Sequence, residues 1–384
     1  MEPSVAHALS THFAELADPR VERTKRHPLL SIITIALCAV IAGADSWDSI
    51  AAFGELRHDW FAAFLDLPAG IPTHDTFNRV FAALDPLAFR AAFAAWMAAI
   101  TGVLPAQVIA LDGKTLRGSH DRRLGKGAIH MVSAWATANQ LVLAQVKVDD
   151  KSNEITALPQ LLQQLAITGC IVTIDAMGCQ RAIATQIVRQ HADYVLALKE
   201  NQPTLAADVQ ECFAQLDVAT AAPGTAAAVG VDRATTTDKG HGRLEIRRQT
   251  VLSDAETLAW LQTAHQWPGL AAVGRVEAER RIGEHVSRET RYYVLSRALS
   301  ASAFGAAVRS HWGIENQVHW VLDMTFGEDR SRVRTRHAAE NLAVLRHLAL
   351  NLMRRVPNKR VSLKARRLAA GWDPDYLLQI LQAP

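Results

Sequence analysis

Two short runs constrain this chain more than any other feature. Ile109-Ala-Leu111 and Val172-Thr-Ile174 are each long enough for one buried strand, and each is followed directly by an aspartate, Asp112 and Asp175. Between them lie two β-rich runs, residues 129–137 and 141–148, parted by the turn-like Ala138-Asn-Gln140. A helical stretch comes next, residues 154–165, with Ile155, Leu158, Leu161, Leu162 and Leu165 on one face. A helix over residues 180–190 and a buried strand over 194–198 complete the order β-β-β-α-β-α-β, which predicts an α/β domain with a mixed sheet. The 63-residue spacing of Asp112 and Asp175 accommodates a three-stranded meander, a crossover helix and a return strand. The two strands then neighbour each other, with both carboxylates at the sheet edge where open α/β sheets keep their sites. Aspartate is also a common turn former, and both lead into small-residue turns, Asp112-Gly113 and Asp175-Ala-Met-Gly178. Two adjacent carboxylates repel, and a divalent cation is the usual relief; oxygen-only ligands suit Mg²⁺ or Mn²⁺ rather than zinc.

The rest of the chain divides around this core. Residues 1–100 read as a helical N-terminal domain, with apolar stretches broken by Pro68, Pro72 and Pro86. Thr73-His-Asp-Thr-Phe77 offers N-cap candidates for a helix whose Phe77, Val80 and Phe81 suit either core packing or a nucleic-acid groove. Residues 101–205 hold the first part of the α/β core, 206–300 a β-rich insertion with strands near 244–251 and 292–295, and 301–384 the C-terminal helices.

At 49% hydrophobic and 21% charged residues, the chain is globular in composition, which excludes a disordered or collagenous protein. Cys38, Cys170, Cys179 and Cys212 form no C-x-x-C pair, so neither a zinc ribbon nor a disulfide framework is indicated. The longest apolar run, residues 29–44, falls short of the roughly 18–20 residues of a membrane span and reads as a buried helix. The expectation is a cytoplasmic protein with no membrane partner. Net charge is only +3, but residues 330–367 carry twelve Lys or Arg, among them Arg330, Arg332, Arg334 and Arg336, against the single acid Glu340. An otherwise acidic chain with one strongly basic segment predicts a polyanion held at that end.

A third carboxylate sits in a long helix read over residues 303–323. Helical spacing sets His311, Glu315, His319 and Asp323 along one ridge in i, i+4 steps, with Trp312 beside Glu315. A zinc site of His311, Glu315 and His319 is an alternative reading of that ridge. Glu328-Asp329 competes with Glu315 for a catalytic role, although beside Arg330 a surface ion pair suffices for it.

Seven motifs occur in order: residues 36–44 (ALCAVIAGA), Gly70-Ile-Pro-Thr-His-Asp-Thr-Phe77, Leu111-Asp-Gly-Lys-Thr-Leu-Arg-Gly118, Thr173-Ile-Asp-Ala-Met-Gly-Cys179, residues 194–202 (YVLALKENQ), His241-Gly-Arg243 and His311-Trp-Gly-Ile-Glu-Asn316. With them the chain resembles bacterial insertion-sequence DDE transposases of the H-repeat-associated type, from about residue 16 to 381. The resemblance implies a ribonuclease-H-like mixed-sheet core with a β-rich insertion, preceded by a helical associated domain. It assigns Asp112, Asp175 and Glu315 as the catalytic, metal-holding triad, with Mg²⁺ as the cofactor and Mn²⁺ as its substitute. The wider superfamily carries a Tyr, Arg, Glu, Lys pattern on the last catalytic helix. Here Val308, His311 and Leu322 stand at the Tyr, Arg and Lys positions, which leaves His311, Arg309 and His319 as candidates to grip the phosphate. Trp312 matches the indole that supports a flipped base in hairpin-forming relatives.

The function so implied is cleavage of insertion-sequence ends, followed by transfer of the 3′-OH to target DNA, by two-metal-ion chemistry. The partners are double-stranded DNA, as terminal inverted repeats and as target, and a second copy of the chain in the DNA complex. Lys114, Arg117, His241 and Arg243 join the basic segment as DNA-contact candidates. A silent DNA-binding relic and a ribonuclease-H-like nuclease without strand transfer remain the alternatives.

Overall fold

The apolar run at residues 29–44 is the centre of a helical layer. In the computed structural model, which describes residues 11–101, 107–120, 127–149, 153–220, 229–240, 242–356 and 361–382, it forms α1 (Leu29–Ile41), buried continuously from Ser31 to Ile41. A helix apolar on every side has to be enclosed. Its cover comes from α2 (Trp47–Leu56), α3 (His58–Ala62), α4 (His74–Ala83), α5 (Pro86–Thr101) and, from the far end of the chain, the helix Ala338–Arg355. The two ends of the sequence therefore share one core. Thr73 caps α4 by accepting from the Thr76 N–H, and Phe77, Val80 and Phe81 point into the core rather than outward. Among the described residues no single helix is long and apolar enough to cross a membrane.

The sheet has nine strands: β1 (Val108–Leu116), β2 (Ile129–Ala136), β3 (Leu141–Lys147), β4 (Ile171–Ile174), β5 (Asp193–Leu198), β6 (Val231–Gly240), β7 (Arg243–Leu252), β8 (Ala272–Ile282) and β9 (His285–Leu295), in the order β3-β2-β1-β4-β5-β9-β8-β7-β6. β1, β4 and β5 are parallel neighbours, and every other pairing is antiparallel. This is the mixed, ribonuclease-H-like α/β fold. Strand alternation divides the core: Ile109 and Leu111 face α6 (Glu154–Gln163), α7 (Arg181–Arg189) and α8 (Pro203–Thr220), whereas Ala110 faces the helical layer. After α9 (Ala255–His265), β8 and β9 close the set.

Three sequence expectations change here. First, β1 does not end at Asp112 but runs on to Leu116, because β2 keeps pairing with it, Asp112 opposite Ser133. Second, the strands of residues 231–295 extend the main sheet and are longer than their apolar bases suggest. The outer part of β9, residues 285–290, is exposed, and only Tyr293–Leu295 is buried. Cross-strand pairs such as Glu279–Arg288 (3.0 Å) hold the polar outer length, so no apolar alternation marks it.

Third, the basic segment, expected from the sequence to hold a polyanion, does not present all of its charge outward. α12 (Ala338–Arg355) and α13 (Leu363–Trp372), with α14 (Pro374–Leu381) behind them, turn several of its arginines inward. Arg367 donates to the carbonyls of Val40 (2.6 Å) and Thr325 and lies 4.2 Å from the Phe326 ring. Arg366 donates to the Met353 carbonyl, and Arg354 stacks 4.6 Å from Trp135. Arg366 and Arg367 satisfy carbonyls at helix ends, where both hydrogen bonding and the helix dipole favour a cation. Arg367→Ala should therefore cost roughly 3 kcal/mol in urea unfolding, against about 0.5 kcal/mol or less for the exposed Arg332→Ala.

Candidate active site

Parallel pairing aligns Leu111 with Ile174, so Asp112 and Asp175 are the next residues on adjacent strands. There the strands part. β4 stops, and Asp175 caps a short 3-10 turn (Ala176–Gly178) by accepting from the Met177 N–H at 3.1 Å. β1 continues, and its Gly113 N–H donates to Asp112 Oδ1 at 2.9 Å. Gly113 thus forms no turn. Its missing Cβ makes room, since a Cβ there would lie 2.1 Å from Glu154 Oε1 and 2.5 Å from His130 Nε2.

The third carboxylate arrives on an interrupted helix. α10 (Ala301–His311) breaks at Trp312, a π-helical turn follows (Glu315–His319), and α11 (Trp320–Met324) resumes. The extra residue in the wider turn breaks the straight ridge expected from the sequence. His311 points to Thr173 (Nδ1 to Oγ1, 3.1 Å), and Asp323 reaches Lys114 (2.7 Å). Glu315 and His319 stay together, Oε2 to Nδ1 at 2.8 Å, and the same nitrogen lies 3.6 Å from Asp112 Oδ2. Donor atoms of Asp112, Glu315 and His319 all fall within 4.8 Å of one another, a spacing that fits a cation. Asp112, Asp175, Glu315, Lys199, Arg291 and Trp312 line a cleft of about 370 Å³.

Burial dominates the electrostatics. It pushes the Asp112 carboxyl up to about 7, and the nearby Asp175, Glu154 and Glu315 carboxylates push the same way against the Gly113 N–H. Asp175 is also raised, by burial and by Glu154, while Lys199 opposes the rise. Glu154, at the start of α6, is thus a fourth acid near the pair. It bonds His130 at 2.5 Å, and His130 in turn meets Thr115 Oγ1 at 2.9 Å. Sequence reasoning took Glu154 only as a helix start; the Gly after Asp112 was the available signal.

The other candidates scatter. His311 is pushed by burial down to about 4 and is a neutral imidazole at neutral pH. Trp312 is half exposed, with the Arg291 guanidinium 4.9 Å from its ring. Arg309 is exposed and paired with Asp238, and Arg243 meets Glu245 at 3.3 Å. Lys114 is turned inward, with Asp323 at 2.7 Å, Asp329 at 3.4 Å and Glu328 at 3.7 Å. Arg117, Arg330, Arg332 and Arg336 are exposed, and Arg334 donates to the Gly118 carbonyl at 3.2 Å. His241 lies outside the described residues. Glu328, expected in a surface pair, is instead buried between Lys114 and Arg346 and does not line the cleft, because β1 and α12 close over it.

With the fold and this acidic cleft defined, sequence comparison supplies the class. Residues 104–352 match the Transposase DDE domain family, residues 10–97 match the DDE_Tnp_1-associated family, and the chain belongs to the DDE transposases. It is 39% identical over 379 residues to "Putative transposase YncI" of Escherichia coli O157:H7, covering 97% of this chain and 94% of the relative. It is 37% identical over 377 residues to "H repeat-associated putative transposase YhhI" of Escherichia coli (strain K12), covering 97% of each. Among solved structures, a chain of the piggyBac transposase synaptic complex with hairpin DNA matches with a TM-score of 0.43 at 10% identity, over 100% of this chain and 79% of that one.

Two outcomes test the site's physics. A carboxyl whose folded pKa is raised binds more protons folded than unfolded, so its contribution to stability is full at low pH and falls as pH rises from about 4 to about 7. Asp112→Asn removes that loss and, in EDTA at pH 8, should be the more stable protein by on the order of 2 kcal/mol, with little difference at pH 4; melting curves at both pH values decide it. Gly113→Ala should lose roughly 1–3 kcal/mol in urea unfolding as its methyl group displaces Glu154 and His130.

Proposed function

We propose that this chain is a DNA transposase that holds divalent metal, Mg²⁺ or Mn²⁺ in its place, on Asp112, Asp175 and Glu315, cuts DNA at its element's ends and joins the freed 3′-OH to target DNA. The observation that carries this reading is the convergence of two aspartates from parallel strands and a glutamate from a π turn on one cleft, in a chain of the DDE transposase family. When bound, paired divalent ions activate the attacking oxygen and stabilise the leaving 3′ oxygen. In the first step a water oxygen bonds to phosphorus as the P–O3′ bond breaks, and the 3′ oxygen takes up a proton. In the second, that 3′-OH bonds to a target phosphorus as the target's own 3′ oxygen leaves.

The chain's groups divide the remaining work. Lys199 and Arg291 line the cleft and supply positive charge to the phosphate oxygens that do not react. The half-exposed indole of Trp312, steadied by Arg291, offers a stacking face to an unpaired base. Neutral His311 braces α10 against β4 through Thr173. Exposed Arg117, Arg330 and Arg332 are in this reading the groups that meet the duplex backbone. In this reading residues 101–205 and 301–384 form the catalytic core, 206–300 the insertion, and two copies of the chain bring the two element ends together.

The experiment is cleavage of a labelled duplex carrying the element's terminal repeats, in Mg²⁺, Mn²⁺ and EDTA. Metal-dependent cutting at the repeat end should occur with wild type and fall at least 100-fold in Asp112→Ala, Asp175→Ala and Glu315→Ala. Binding of the repeats should weaken more than tenfold between 50 and 200 mM salt, on the order expected for several phosphate contacts. Binding without cutting by any of the four proteins supports a DNA-binding protein instead. Cutting with no joined product in the presence of target DNA supports a nuclease.

A further inference from the structure

We infer that His319, buried beside the cleft against Asp112 and Glu315, is a direct metal ligand, so that the site holds two chemically unequal cation positions. One, between Asp112 and Asp175, is formed by oxygen alone, and the other, between Asp112, Glu315 and His319, includes an imidazole nitrogen. This rests on the proposed function, since it assigns a ligand to the same site.

The geometry comes from the π turn. Glu315 and His319 open and close that turn, and both lie close to Asp112 of β1. His319 Nδ1 lies 2.8 Å from Glu315 Oε2 and 3.6 Å from Asp112 Oδ2. Neighbouring ligands of a six-coordinate cation, each about 2.1 Å from it, stand about 3 Å apart. The Glu315–His319 edge of the donor triangle already has that length, and the 3.6 Å edge to Asp112 shortens as the shell closes on the ion.

A second observation separates this from an ordinary surface Glu–His pair. The His319 side chain is 5% exposed, so the ring is held among packed neighbours rather than in solvent; ligation through Nδ1 places its proton on Nε2, which has no acceptor among the described residues, a cost that the metal bond has to exceed. The ring is fixed by packing, and its one engaged nitrogen is the one aimed at the carboxylates. Glu315 is 58% exposed, so a buried imidazole is not required to satisfy it. Asp175 lies outside this cluster, which makes the two positions unequal.

The consequence is selectivity. Carboxylate oxygens alone accept Mg²⁺ readily, whereas an imidazole nitrogen favours Mn²⁺ and the later transition metals. The position on Glu315 should therefore prefer Mn²⁺ to Mg²⁺, and the position on Asp175 should discriminate less.

Pulsed EPR of Mn²⁺ bound to the full-length protein reads this directly, because a coordinated imidazole imposes a ¹⁴N coupling on the metal. Wild type is expected to show that coupling. His319→Gln should lose it and bind Mn²⁺ at least tenfold more weakly by titration, with a circular dichroism spectrum matching wild type. Asp175→Asn should keep the coupling, since the nitrogen belongs to the other position. Saturable Mn²⁺ binding by wild type without ¹⁴N coupling, or coupling unchanged in His319→Gln, overturns the assignment of His319 and leaves the carboxylate triad standing. Absence of saturable Mn²⁺ binding by wild type overturns the metal reading of the cleft altogether, and this inference with it.

Discussion

Mutual repulsion among carboxylates is the constraint on which the rest of the structure depends. Asp112, Asp175, Glu154 and Glu315 act on one another at a single sheet end, and burial together with that proximity raises both aspartates. Such a cluster opposes its own folding unless rigid elements hold it. The frame is the parallel register of β1 and β4, which allows neither aspartate to withdraw without breaking the sheet. Glu315 is brought in by a helix whose neighbours, Ile314 and Val318, are buried in the helical core. The acids are therefore held together at one cleft rather than dispersed into solvent.

α12 supports that frame from behind. It is buried from Ala338 to Met353, and its polar side chains complete other elements instead of meeting water. Asn341 donates to the Phe81 and Leu84 carbonyls at the end of α4, while the Asn351 amide both accepts from and donates to the backbone of Val142 on edge strand β3. Arg346 shares the buried Glu328 with Lys114, and Lys114 also holds Asp323 beyond the π turn. Through this chain of ion pairs, the strand carrying Asp112 and the helix carrying Glu315 are tied to the same buried helix. Positive charge here serves the geometry of the acids as much as any surface.

Much of the fold was legible in the sequence because its cues are local. Apolar runs of strand length ending in aspartate, an amphipathic crossover at residues 154–165 and Thr73 before a helix each depend on neighbours within a few positions. The misreadings share the opposite property. Arg346, Arg366 and Arg367 count in the sequence toward a polyanion-holding segment, because their carbonyl and carboxylate partners lie tens to hundreds of residues away. The outer parts of β6 to β9 are strands held by polar cross-strand pairs, which leave no hydrophobic period to read. The π turn is invisible to a 3.6-residue wheel, since one extra residue in a turn changes no residue type.

By itself the sequence determined the order of elements that brings two aspartates, each following a buried apolar run, and a glutamate after an indole to one edge. Only the tertiary structure decided which of the neighbouring charges belong to that edge. It turned Lys114 and Glu328 inward, sent His311 to Thr173, and set Glu154 beside Gly113 and His319 beside Glu315. Each of these outcomes follows from packing between segments distant in the chain, where burial makes an unpaired charge costly and so selects its partner. Residue spacing carries no information about that selection.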